Sequence, residues 1–230
     1  MNTQRIIVVL VGLTLGMQGL ILYRQYAAGK PSSRPEIVSK AAPGVSLDLA
    51  GIPIKGNSEA KLFLIEFSDY ECPFCERHAN GVAKELDREF LESGKVRIAF
   101  VNNPLPMHNQ ARLLASAAIC AGKQDLFWQV HQLLFHDKPR NRNDIMASLK
   151  PVPLKMPEFQ SCLENPEVTR KIDSDLDNAK KLGLEGTPSF ALGWADSQGR
   201  VKVEKYIRGA QPFSVFQENI TKLIAEHGAM

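Results

Sequence analysis

Cys72 and Cys75, separated only by Pro73 and Phe74, are the residues whose type and spacing point most directly to chemistry. A thiol attacks a disulfide only as the thiolate, and a cysteine at the first turn of a helix has that charge stabilised by unpaired backbone N–H groups and the helix dipole. Pro73 suits a first turn, where its missing N–H is not needed, and this puts Cys72 at a helix start. Cys75 lies one turn on, where it can attack a mixed disulfide held on Cys72 and release the other product. The pair reads as a dithiol switch. Such a switch needs no metal or nucleotide, only a redox partner that restores the working state after each turnover.

Two cysteines at this spacing can also be half of a zinc site. A structural site needs a second ligand pair, whereas Cys120 and Cys162 stand apart from each other without close companions. His78 lies on the same helix face, but a single extra histidine reads as a partly exposed surface residue rather than a ligand. Covalent haem attachment is excluded, because Glu76 follows Cys75 where a histidine is required. The reading is therefore that the chain holds no metal.

The elements that must position the pair are visible on both sides. Lys61 to Ser68 (KLFLIEFS) is a short apolar run typical of a buried strand, and it leads directly into the cysteines. Ala79, Val82, Ala83, Leu86 and Phe90 recur on one face of the following helix until Gly94 stops it. Lys95 to Val101 (KVRIAFV) is the return strand, so the cysteines sit at the strand-to-helix junction of a strand, helix, strand unit. From about Asn109 to Leu182 the periodicity is helical, through Leu113, Leu114, Ala117 and Ala118, then Leu126, Phe127, Val130, Leu133 and Leu134, then Val168, Ile172, Leu176 and Ala179. Pro188 to Gly193 and Val201 to Ile207 read as a hairpin around Asp196 to Gly199. Phe213, Phe216, Ile220, Leu223 and Ile224 mark a final amphipathic helix.

With 230 residues, 44% of them hydrophobic and 23% charged, the chain has room for one sizeable core. The formal charge of +3 is spread along the length, which excludes a nucleic-acid footprint. After Arg5, Ile6 to Tyr23 carries no charge and is long enough for a marginal membrane span. Its exit through Tyr23, Arg24, Gln25 and Tyr26 lacks the small residues of a cleavage site, which favours an uncleaved anchor over a secreted form. The positive-inside rule does not fix the orientation, and the cysteine chemistry decides for an outward-facing domain. The organisation is then a transmembrane signal anchor over 1–26, a Pro- and Gly-rich linker over 27–45, and a domain over 46–230 with a helical insertion at about 108–182.

The separated blocks FLIEFSDYECPFCERHA, VNNPLPMH, AAICAGKQDLFWQVHQLL and LEGTPSF, in that order, resemble the DsbA family of thioredoxin-like proteins. The resemblance covers the chain from about Val45 to its end, and it implies an α/β thioredoxin-like fold interrupted by an inserted helical domain. It also makes Gly186, Thr187 and Pro188 the family's cis-proline loop beside the active-site disulfide. There the backbone of Thr187 would pair strand-like with an extended substrate segment, with Pro188, Pro73 and Phe74 completing the binding surface.

Glu66, six residues before Cys72, matches a buried acid that such proteins keep near the resolving cysteine, where it would take the proton of Cys75. A desolvated carboxyl has a raised pKa that suits this transfer. So apolar a run does not fix the face, however, and an outward-facing strand residue is the other reading. The strongest oxidases of the family carry a histidine where Phe74 stands here. With Asp69 and Glu71 adding negative charge before Cys72, a less oxidising protein is expected. Cys120 and Cys162 each read as small buried apolar residues or, in an oxidising compartment, as a bonded structural pair like one some DsbA-like proteins carry.

The resulting reading is an extracytoplasmic thiol-disulfide oxidoreductase, membrane-anchored and monomeric, acting on exported cysteine-containing proteins and regenerated by a membrane redox partner. Its direction is read as disulfide-forming. Two rivals stand beside it: a reductase or isomerase fed by a membrane electron donor, and a metal- or peptide-binding module without turnover.

Overall fold

The computed structural model describes residues 36–228. The proposed membrane segment and residues 27–35 of the stretch read as linker lie outside them. Among the described residues no helix is long and apolar enough to cross a membrane.

A seven-stranded mixed sheet forms the centre. Its strands are β1 (Val38–Lys40), β2 (Ser46–Leu47), β3 (Ile54–Lys55), β4 (Leu62–Ser68), β5 (Val96–Asn102), β6 (Ser189–Ala195) and β7 (Val201–Arg208), in the order β1-β7-β6-β4-β5-β3 with β2 also on β7. Only β4 and β5 run parallel, in the register Leu62↔Val96 to Ser68↔Asn102. The other pairings are antiparallel. β1 falls inside the stretch read as linker. A Pro- and Gly-rich composition hides so short a strand, which is held by pairing with the edge of β7 rather than by its own pattern.

Every residue of β4 is buried, because the strand has a neighbour on each side and layers on both faces. Leu62 and Leu64 pack with Leu86, Phe90, Phe190, Phe216 and Ile220 on one face. Phe63, Ile65 and Phe67 pack with Ala179, Leu184, Ala191 and Val203 on the other. Side chains alternate along a strand, so Glu66 belongs to the face of Leu62 and Leu64.

The apolar spacing after the cysteines predicts one helix to Gly94, but the chain breaks at Gly81. Helix α1 (Pro73–Asn80) ends there, α2 (Val82–Leu86) follows, and a wider π-helical turn runs from Asp87 to Leu91. Gly81 has non-helical φ −120° and ψ −93°, and a Cβ on it would lie 3.1 Å from the Arg77 carbonyl, a tight contact that glycine avoids.

Between β5 and β6 the chain leaves the sheet for five helices: α3 (Ala111–Gly122), α4 (Phe127–Asp137), α5 (Arg142–Ser148), α6 (Met156–Leu163) and α7 (Pro166–Lys181). Their starts are written in the sequence. Asn141 and Asn165 cap α5 and α7 by accepting the N–H of Asp144 and of Glu167, and prolines open α6 and α7. These helices share a core of Leu114, Val130, Leu134, Phe135, Ile145, Phe159, Val168 and Ile172, which Tyr70 and Phe100 tie to the sheet. Cys120 on α3 and Cys162 on α6 are bonded, with Cα atoms 5.7 Å apart.

After the insertion, β6 and β7 form a hairpin with a register shift at Leu192 and Gly193. A Cβ at Gly193 would meet the Lys202 carbonyl at 2.3 Å, so the close approach of the two strands requires glycine there. Asp196 holds the turn, its side chain accepting the N–H of Gln198 and of Arg200. Helix α8 (Phe213–Gly228) completes the chain.

Candidate active site

The end of β4 delivers the chain into the start of α1, and Cys72 is the N-cap of that helix, with extended φ −75° and ψ 123°. The Cys72 N–H donates to the Asp69 carbonyl at 3.2 Å, and the Cys72 carbonyl accepts the N–H of Glu76 at 3.0 Å. Both cysteines of the pair are unbonded thiols and both are buried, Cys75 completely. Phe74, between them, is 53% exposed.

The bend before β6 brings a distant segment against the nucleophile. Thr187 and Pro188, joined by a cis peptide bond, place the Thr187 carbonyl 3.5 Å from Cys72 Sγ. Thr187 Oγ1 is buried and has no hydrogen-bond partner while Cys72 keeps its proton and aims it at that carbonyl. Loss of the proton reverses the need, since a thiolate accepts.

The two thiols are driven apart in acidity. Cys72 is lowered to about 5, chiefly because the Cys75 S–H donates to its thiolate, against burial, with the Thr187 hydroxyl and the backbone N–H groups of Cys75 and Phe74 assisting. Cys75 is pushed far up by burial and by the neighbouring Cys72 charge. The acidic residues read as opposing the thiolate are otherwise engaged. Asp69 accepts from the N–H of Glu71 and of Leu105 and faces His108 at 2.7 Å, while Glu71 accepts the Gln110 N–H.

Glu66 lies beneath α1 on the inner face of β4, which decides between its two readings in favour of burial. Desolvation raises its pKa to about 7, against the opposing pull of the neighbouring Ser68 hydroxyl and the charge of Lys55. Its Oε1 has no hydrogen-bond partner, and its Oε2 lies 3.7 Å from His78 Nε2.

His78, expected as a partly exposed surface residue, is buried. Its ring packs 4.6 Å from Phe190 and 5.5 Å from Phe216, and burial lowers its pKa to about 3. An isolated histidine gives no sign of its surroundings, but its helical spacing from Cys75 puts it on the inner face. Among the described residues no three His, Cys, Asp or Glu side chains cluster as a metal site would require.

Cys72, Cys75, Pro73, Phe74, Thr187, Pro188 and Glu66 thus gather at one end of the sheet. Cys120 and Cys162 are bonded to each other between two of the inserted helices. The residues that the sequence left without a role here are Ser68, beside both Glu66 and Cys75, and His108, which belongs to the quoted block PLPMH. No spacing rule links a histidine to an aspartate 39 positions away.

A family model described as Thioredoxin matches residues 50–206. Disulfide bond formation protein D of Bacillus subtilis strain 168 is 23% identical over 184 residues, covering 76% of this chain and 78% of that protein. A Na(+)/H(+) antiporter, NhaA 3 of Salinispora tropica, is 28% identical over 194 residues, 80% of this chain, and the chain spans only 29% of that relative's length. The crystal structure of alpha-DsbA1 from Wolbachia pipientis superposes with a TM-score of 0.68 at 20% identity, over 78% of this chain and 94% of that one. With the sheet order, the helical insertion between β5 and β6, and a family match over most of the described residues, the chain belongs to the thioredoxin family and is similar in fold to DsbA.

Proposed function

We propose that the chain catalyses thiol-disulfide exchange with exported cysteine-containing proteins, with Cys72 as nucleophile and Cys75 as resolving thiol. The observation that carries this reading is the opposite tuning of the two thiols, one acidic at the helix start and one held protonated behind it. Cys72 attacks one sulfur of a disulfide, that S–S bond breaks, and the departing thiolate takes a proton. Cys75, once deprotonated, attacks Cys72 Sγ, so that the bound chain leaves reduced and the Cys72–Cys75 disulfide remains. Run in reverse, the same steps donate a disulfide. Thr187 and Pro188, against Cys72 Sγ, are the proposed seat of the substrate backbone, with Pro73 and the exposed Phe74 beside it.

An acidic Cys72 stabilises the dithiol form, which makes the disulfide form the better oxidant and favours the disulfide-forming direction. The bonded Cys120–Cys162 pair supports an oxidising compartment outside the cytoplasm. There the uncharged run Ile6 to Tyr23 is the proposed anchor, a membrane redox partner is the proposed source of oxidising equivalents, and the domain works as a monomer. Equilibrating the Cys72–Cys75 pair against a glutathione series tests the direction. A potential well above thioredoxin's about −270 mV is expected, and a value at or below it would point to a reductase.

Glu66 is the proposed proton acceptor for Cys75. Its carboxyl is neutral in folded and unfolded chains below about pH 4.5, and between there and about pH 7 it ionises in the unfolded chain alone, so stability is lost as pH rises through that window. Glu66→Gln should therefore be more stable than the parent at pH 8, by about 1–3 kcal/mol, yet release mixed disulfides more slowly. Urea melts at pH 4 and pH 8 alongside stopped-flow release rates check both halves, and an unchanged release rate removes Glu66 from the mechanism.

A further inference from the structure

His108 stands on the loop between β5 and α3, outside the segment that carries the cysteines, yet it is tied to that segment. Its Nδ1 lies 2.7 Å from Asp69 Oδ2, and Asp69 is 1% exposed. The same carboxylate oxygen accepts the Leu105 N–H at 2.7 Å, from His108's own loop, and Oδ1 accepts the Glu71 N–H at 2.8 Å. Asp69 also offers its carbonyl to the N–H of Cys72. One buried residue therefore fixes the imidazole ring through its carboxylate and the nucleophile's backbone through its carbonyl.

We propose that His108, held by Asp69, is a positioning residue for the Cys72 thiolate, its imidazolium supplying the fixed positive charge beside the nucleophile that Phe74 does not provide. The proposal deepens the exchange reading and rests on it only for its consequence, since the coupling itself is between one thiolate and one imidazole. The charged groups around the ring fit this role. Asp69 contacts it from the loop before α1, Glu71 of that loop accepts the N–H of Gln110 two residues beyond His108, and Cys72 at the start of α1 is one hydrogen bond from Asp69. Arg112 of α3, which lines the same cavity of about 380 Å³, is engaged by Asp173 of α7. Burial pulls the His108 pKa down, but the Asp69 hydrogen bond and charge, then Cys72 and Glu71, outweigh it and leave it raised. Whatever the thiolate does to the imidazole, the imidazolium must do equally to the thiolate.

That reciprocity gives the test. In the full chain under reducing conditions, the His108 ring is titrated by NMR in the parent and in Cys72→Ser. Its midpoint should fall by about half a pH unit or more in the variant, the size expected of one partly screened charge nearby. In His108→Gln, iodoacetamide labelling of Cys72 near pH 5 should slow about three- to tenfold, and His108→Arg should restore most of the loss. Equal His108 midpoints in parent and Cys72→Ser overturn the proposal even if His108→Gln fails to fold. A chain that never exchanges with glutathione overturns the exchange reading and leaves this coupling to be judged on the titration alone.

Discussion

Cys75→Ser is expected to convert the protein from one that turns over into one that traps its substrates: covalent adducts through Cys72 should accumulate, visible on non-reducing gels and released by dithiothreitol. Cys75 is completely buried and held protonated, so an incoming disulfide meets Cys72 first. A serine hydroxyl cannot attack the resulting mixed disulfide, so the second step stops while the first survives. Cys72→Ser removes the first step and should form no adducts. Cys75→Ala separates a further contribution. The Cys75 S–H is the foremost stabiliser of the Cys72 thiolate, so removing the donor should raise the Cys72 midpoint from about 5 by about one unit, whereas serine keeps a donor in place. Thiolate absorbance near 240 nm measures this directly. Adducts forming equally on Cys72→Ser would put the nucleophile elsewhere.

The second large effect concerns stability. Cys120 and Cys162 close a loop with a sequence separation of 42, and the chain-entropy relation assigns such a closure about 4 kcal/mol. Cys120→Ala with Cys162→Ala should lower Tm by roughly 8–16 °C, at the 2–4 °C per kcal/mol usual for a domain of this size. Because both residues lie on inserted helices, outside the β4–α1 junction that carries Cys72 and Cys75, the glutathione equilibrium of the Cys72–Cys75 pair should stay where the parent has it. Calorimetry and the redox titration on the same double variant check both statements. A Tm within about 2 °C of the parent would mean that the packed core alone fixes the two helices.

Much of this arrangement is legible in the sequence because local signals and tertiary demands agree. The strand before the cysteines, the proline-opened helix and the hairpin around Asp196 each carry their pattern within a few residues. β1 and β2 do not, since two- and three-residue strands take their conformation from β7. The break at Gly81 is masked by an apolar spacing that runs through it and serves helical turns on both sides of the bend. Within the site, the face of Glu66 is determined only by the alternation of its neighbours against known layers. His78 and His108 depend on contacts far along the chain, with Phe190 and Phe216 in one case and with Asp69 in the other.

The insertion also sets an order of assembly. β4 pairs with β5 across the short path through α1 and α2, but its other edge must wait for β6, which follows all five inserted helices. A chain appearing from its N-terminus therefore exposes Phe67 and its neighbours along an unpaired edge until Ser189 and the residues after it arrive. The inserted helices, most of whose contacts are among themselves, can condense meanwhile. The nucleophile's cradle is then assembled late. Thr187 reaches Cys72 only when β6 docks, so a nascent chain carries its thiols before it carries the means to use them.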